Sequence, residues 1–114
     1  MQRKILIYLE DISMACENIN LFSSGKVYLD YKKDYQLKCA IERLLIIIGE
    51  ATNKLSKNCD IHLKSESAMV ALRNSITHDY SSIHDHVIWQ IITTDLLDLK
   101  IEVEELIKKY DLEL

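Results

Sequence analysis

An arginine, an asparagine, a histidine and a tyrosine stand within the eight residues RNSITHDY, as Arg73, Asn74, His78 and Tyr80, straight after the apolar run AMVAL. Together these types suit the cleavage of a phosphodiester. An imidazole titrates near working pH, so it can take a proton from a ribose 2′-hydroxyl or deliver one to the leaving oxygen. A guanidinium offers a planar fork of donors to the charge that grows on the phosphate. An asparagine can orient the imidazole or a phosphate oxygen. Such a reaction needs no metal. One imidazole does not readily serve as both acid and base, so a two-fold dimer that brings two copies together is attractive. The spacing sets a condition. Five residues on an ideal helix turn through about 140°, so Arg73 and His78 point apart, while Asn74 and His78 share a face. Arg73 and His78 can act together if the long arginine reaches round, or if the helix ends or loosens near residue 78. Simple polarity at a helix end stays open as the plainer reading of these residues alone.

Other chemistries find less support. Of the histidines His62, His78, His84 and His86, the last two lie two apart on an expected helix, about 200° round its axis, and do not converge on one ion. Neither H-x-x-x-H nor E-x-x-H occurs, so no metal site is expected. There is no G-x-S-x-G and no glycine-rich phosphate loop, and no cofactor is implied. The cysteines Cys16, Cys39 and Cys59 are odd in number and widely spaced. That argues for a reducing cytosol and for small packing residues rather than disulfides or zinc ligands. The acidic run EVEEL near the C-terminus reads as a solvated helix face.

The elements that hold the motif are helices. The 114 residues fit one domain, 1–114, with 48% hydrophobic and 28% charged residues, as in a soluble globular chain. With a net charge of -4 the bulk field does not attract nucleic acid, so local groups must hold any RNA. The apolar start stops at Glu10 and Asp11, too soon for a signal peptide, and LLIIIG is far too short for a membrane span. Ile5, Leu9, Ile12, Cys16 and Ile19 form one stripe, predicting a helix from about 2 to 22. SSGKVYLD reads as a loop turned at Gly25. A second helix is predicted from about 31 to 57, with the stripe Leu37, Ala40/Ile41, Leu44, Ile48, Ala51 and Leu55. Because LLIIIG is apolar nearly all round, that helix should lie deep or touch a partner chain. Gly49 inside it predicts a close helix–helix approach. A polar connection and a third helix, about 66 to 78, follow. Ser82 then reads as an N-cap, with Asp85 three residues on, before a last helix running to about 110 on Ile88, Ile92, Leu96, Leu99, Val103, Leu106 and Tyr110. The expected fold is all-α, an antiparallel bundle of four or five helices.

At this point the residues resemble a known family. RNSITHDY is similar to the R-N-x-x-x-H-x-Y signature of the HEPN superfamily, specifically its HepT-like (DUF86) toxins. DISMACENI resembles that family's D-I-x-x-A-x-x-x-I, AIERLLIIIGEATNKLS its A-x-x-R-x-L-x-I-I-G-E-A, and HDHVIWQIITTDLLDL its V-W-x-I-I-x-x-D-L. The likeness runs in order along nearly the whole chain. Departures are the lack of a tryptophan early in the motif helix, Ala71 in a usual glycine position, and Leu97 in a usual proline position; they bear on packing. The resemblance implies a homodimer whose motifs face each other across a cleft. It implies a metal-independent RNA-cleaving toxin, cytoplasmic, paired with an antitoxin of the MNT nucleotidyltransferase type. Arg73 would bind phosphate, His78 would be general acid or base, and Asn74 would orient. Tyr80 would be the residue to which the antitoxin transfers AMP, setting bulk and negative charge beside Arg73 and His78. Arg43 and Glu50 on the second helix would pair across the bundle and support the motif helix, unless they form a merely structural ion pair. The alternative within the same fold is a non-catalytic HEPN module that binds nucleotide or a nucleotidyltransferase partner.

Overall fold

The stripe Ile5, Leu9, Ile12, Cys16 and Ile19 does build the first helix, α1 (Gln2–Ser23), and buries all along it. The computed structural model describes residues 2–78 and 84–112. Among the described residues six α-helices make five rods: α1, α2 (Tyr28–Lys33), α3 (Tyr35–Cys59), α4 (Glu66–His78), and the last pair α5 (Asp85–Gln90) and α6 (Leu96–Leu112), joined by the π-helical turn Ile91–Asp95. Among the described residues there is no strand. The all-α bundle expected from periodicity is therefore the observed architecture.

Helix α3 is the centre of the bundle. It packs against α1 on one side and α4 on the other, and α1 in turn packs against α6. Ile41, Leu45, Ile48, Ala51 and Leu55 bury their side chains along α3, with Leu44, Ile46 and Ile47 half-buried beside them. The deep placement expected of LLIIIG is thus met, although Leu45 rather than Leu44 takes the core position. Burying one Leu or Ile fully contributes roughly 1.5–3 kcal/mol, so this axis contributes heavily to the stability of the bundle.

Three local expectations need correction. The stretch after Gly25 (φ 74°) is not all loop, because Tyr28–Lys33 forms α2. The Asp30 carboxylate accepts from the Val27 N–H at 2.9 Å and closes the helix start. Tyr31 is fully buried and its ring lies 5.4 Å from that of Trp89 on α5. Nor does one helix run from 31: Asp34 stands extended (φ -101°, ψ 97°) and its carboxylate accepts from the Leu37 N–H at 3.0 Å. An aspartate is a better cap than a helix-interior residue, so the chain breaks there and restarts. Finally, α5 begins at Asp85 after an extended His84; the expected cap Ser82 lies outside the described residues.

The π turn was not expected either. Thr93 and Thr94 turn their hydroxyls back onto the Trp89 and Gln90 carbonyls, 2.7 Å in the first case. That back-bonding loosens a helix turn, and the wider turn keeps Ile88, Ile92 and Leu96, spaced by four, on one buried face.

Candidate active site

The motif rides on α4, whose position is fixed at its start and by its packing on α3. At its start, α3 ends with Asp60 in the left-handed region (φ 54°, ψ 38°) and the Ile61 N–H returns to the Leu55 carbonyl at 3.0 Å. Aspartate tolerates this conformation better than most residues. Leu63 plugs the connection into the core. His62 lies between two carboxylates, Nε2 to Asp60 Oδ1 and Nδ1 to Glu66 Oε1, both 2.9 Å. Ser56 donates to Glu66 Oε2 at 2.9 Å and bridges α3 to α4. Ser56 also lies 3.1 Å from His62 Nδ1. This is not a nucleophile with its base. Hydrogen bonds donated to Asp60 and then Glu66 push the imidazole pKa up and favour the charged ring, which holds no free lone pair.

From that latch α4 runs antiparallel to α3. Arg73 is half-buried and backs onto Gly49. Its Nε is buried and, among the described residues, donates to nothing. Asn74 and His78 are exposed. The helix is described as far as His78, with the Thr77 hydroxyl bonded back to the Arg73 carbonyl at 2.9 Å. The geometric demand therefore resolves in one direction. The helix does not loosen before the histidine, so the structure brings Asn74 and His78 to one outer face while Arg73 turns inward to α3.

The other expected site residues fall as follows. Tyr80 lies outside the described residues. Arg43 and Glu50 are both exposed on α3, two turns apart, and no ion pair joins them among the described residues. Glu50 faces a shallow groove beside Tyr8, Asp11 and Lys54. His84 and His86 stack, with ring centroids 5.6 Å apart. They come closer than two positions on one helix would, because His84 precedes the helix. Among the described residues no three His, Cys, Asp or Glu side chains are grouped to hold a metal ion. Cys16 is buried, and burial pushes its thiol up to about 12, so it packs rather than reacts. Cys39, by contrast, is exposed and not a packing residue.

Sequence reasoning missed two polar neighbours. Lys38 on α3 and Asp85 on α5 pair at 3.1 Å, each about three-quarters buried, and tie the first turn of α5 to α3. Glu42, one turn further along α3, is half-buried, and burial raises its carboxyl above the usual range. Since Ser56 meets Glu66 and Gly49 meets Arg73, the antiparallel register puts this turn of α3 level with the end of α4. The charged i, i+4 pair Lys38 and Glu42, just before the apolar run of α3, was the available signal. A groove of about 930 Å³ between the 60–65 connection and α6 is lined by Asp98, Glu102 and Glu105 together with Lys64 and Lys109, so its charge is mixed.

The comparisons with known proteins agree with this architecture. A family model described as "Ribonuclease HepT-like" matches residues 12–106. The chain is 33% identical over 104 residues to a "Putative RNase" of Caldanaerobacter subterraneus, covering 90% of this chain and 93% of the relative. It is 31% identical over 110 residues to the "Probable ribonuclease HepT" of Thermococcus cleftensis, covering 95% of this chain and 100% of the relative. A "Putative RNase" of Methanocaldococcus jannaschii is 30% identical over 107 residues, covering 90% and 96%. No solved structure matches the chain. With an all-helical bundle, a motif helix carrying Arg73, Asn74 and His78, and a family match over most of its length, this chain belongs to the HepT-like ribonuclease family of the HEPN superfamily.

Proposed function

We propose that the chain is a metal-independent endoribonuclease toxin that acts as a two-fold dimer and is silenced by AMPylation of Tyr80. The observation that carries the reading is on α4. Among the described residues Arg73 keeps a buried Nε–H without an acceptor, and Asn74 and His78 stand exposed on the outer face. A buried donor without an acceptor is unfavourable by roughly 1–3 kcal/mol, and a phosphate oxygen would relieve it. Family membership supports RNA as the bearer of that phosphate.

The outer face of α4 carries Ser67, Ala71, Asn74 and His78. These are mostly small or polar, so a second copy of the same face can approach closely about a two-fold axis. Two imidazoles then serve one reaction. His78 of one protomer takes the 2′-hydroxyl proton as that oxygen attacks phosphorus. The bond to the 5′ oxygen breaks, and that oxygen leaves with a proton from the other protomer's imidazole. The products are a 2′,3′-cyclic phosphate and a 5′-hydroxyl. Arg73 stabilises the charge gathered on the non-bridging oxygens, and Asn74 orients the imidazole. Control would come from an MNT-type nucleotidyltransferase. The Tyr80 phenolic oxygen attacks the α-phosphorus of ATP, pyrophosphate leaves, and the phenolic proton passes to solvent. The new phosphodiester sets negative charge two residues from His78.

Incubating the purified protein with RNA in EDTA tests this. Cleavage is expected, with a loss of about 100-fold or more in both His78→Ala and Arg73→Ala. Equal activity in all three would overturn the assignment. No cleavage by any, together with nucleotide binding, would favour the non-catalytic HEPN module. Intact-mass measurement after mixing with the nucleotidyltransferase and ATP should show one added AMP that disappears in Tyr80→Phe; no gain would remove the modification.

A further inference from the structure

Gly49 stands in the interior of the central helix, where glycine is less favourable than alanine by about 1 kcal/mol. It is buried, so neither solvent nor a turn explains it. Its surroundings do. A Cβ built on Gly49 would overlap the Cβ of Arg73, stand 3.0 Å from Arg73 Cγ, and stand 2.9 Å from the Met69 carbonyl oxygen. Met69 lies one turn before Arg73, at the position whose carbonyl accepts the Arg73 N–H within a helix. Gly49 therefore touches both the stem of Arg73 and the backbone turn that carries it. Turning a flexible side-chain tip cannot relieve such contacts. The whole of α4 would have to withdraw from α3, by about 1 Å, to restore van der Waals distances.

We propose that Gly49 is a positioning residue for Arg73, seating the arginine stem flush on α3 so that its Nε–H is held buried, with no partner among the described residues. This rests on the reading of Arg73 as the phosphate-binding group. A guanidinium fixed in this way points at the place where charge develops and needs no reorganisation to meet it. With alanine at 49, α4 retreats, water reaches Nε, and the fork moves off its line. A displacement near 1 Å in a catalytic group lowers the rate about 100-fold.

Two measurements test the seat. The first is kinetic. Gly49→Ala is compared in EDTA with Val103→Ala, a buried residue of α6, the helix that packs on α1, at a temperature where both are folded. Gly49→Ala should lower kcat about 100-fold with KM little changed, while Val103→Ala keeps kcat within about 3-fold. Gly49→Ala/Arg73→Ala should be no slower than Arg73→Ala. Losses that multiply, or a kcat that tracks melting temperature in both variants, would overturn the proposal. The second reads no activity. The chain has only three arginines, Arg3, Arg43 and Arg73, and the first two are exposed. In a ¹⁵N-correlated spectrum one Nε–H, that of Arg73, should exchange slowly with solvent, and in Gly49→Ala it should exchange like the other two. An Arg73 signal already at solvent rate in the wild type would refute the seat, and this holds even if Gly49→Ala does not fold. Slow exchange in the wild type alongside full activity of Arg73→Ala would instead sink the phosphate-binding reading and leave the seat standing.

Discussion

Replacing Arg73 with methionine should make the fold more stable while ending RNA cleavage. The Nε of Arg73 is buried and donates to nothing among the described residues. A buried donor left unsatisfied is unfavourable by about 1–3 kcal/mol. The lower end applies here, because the residue is only half-buried. Methionine keeps two methylenes of the stem on Gly49 and sets an apolar methyl near the place of Nε. The expected gain is about 1 kcal/mol, which for a domain of this size is a rise in Tm on the order of 4 °C. Urea unfolding at fixed protein concentration measures it, since dimerisation would add its own concentration-dependent stability. An RNA oligonucleotide made uncleavable by 2′-deoxy substitution should raise the Tm of the wild type and not that of Arg73→Met. A loss of stability of about 1 kcal/mol or more in Arg73→Met would mean that Nε already has its acceptor, and would refute the reasoning.

The latch at the start of α4 should respond to pH. Hydrogen bonds to Asp60 and then Glu66 raise the His62 pKa, so its contribution is full below the ordinary imidazole value and fades as pH rises through the raised one. Hydrogen bonds from His62 and then Ser56 lower that of Glu66, whose contribution is present above the ordinary carboxylate value and fades as pH falls through the lowered one. Both are complete from roughly pH 4.5 to 6.5, and His62→Asn should flatten the decline on the alkaline side; an unchanged profile would remove the latch. Asp34→Ala takes the acceptor from the Leu37 N–H and should lower stability by about 1 kcal/mol, read by thermal unfolding. Arg73 is the only arginine or lysine on α4, so a dimer offers two such phosphate contacts. The apparent affinity for single-stranded RNA should then fall with salt at a log–log slope near -1.4, and a slope several times steeper would require lysines outside α4.

Most of the fold was readable because it depends on local periodicity. The α4 bounds of 66–78 were legible from the chain, as was the buried face of α1. What escaped depends on contacts distant in sequence or on competing local hydrogen bonds. The break at Asp34 required choosing between a long apolar period and a single capping carboxylate, and the cap won. The π turn follows from threonines bonding back to their own helix, which no apolar stripe reports. At the site, Gly49 stood out as a glycine inside a helix, but nothing in the spacing named Arg73, 24 positions on, as the side chain that needs it. Arg43 and Glu50 failed in the opposite way. Their charges suggested a pair, yet both face solvent two turns apart, where an ion pair between them would do little for α4.

The net charge of -4 fits an RNA-cleaving reading better than it first suggests. A basic surface binds nucleic acid wherever it meets it, through many weak and sequence-independent contacts. An acidic chain lacks that background and must rely on a few preorganised donors. Arg73 suits the task because its stem is fixed by packing and part of its desolvation is already complete in the folded state. The same economy makes the proposed control effective. A site that depends on one guanidinium per protomer needs only a small added negative charge to occupy or oppose it. One AMP on Tyr80 would carry that charge, whereas the same group on a broadly basic surface would be diluted among many remaining contacts.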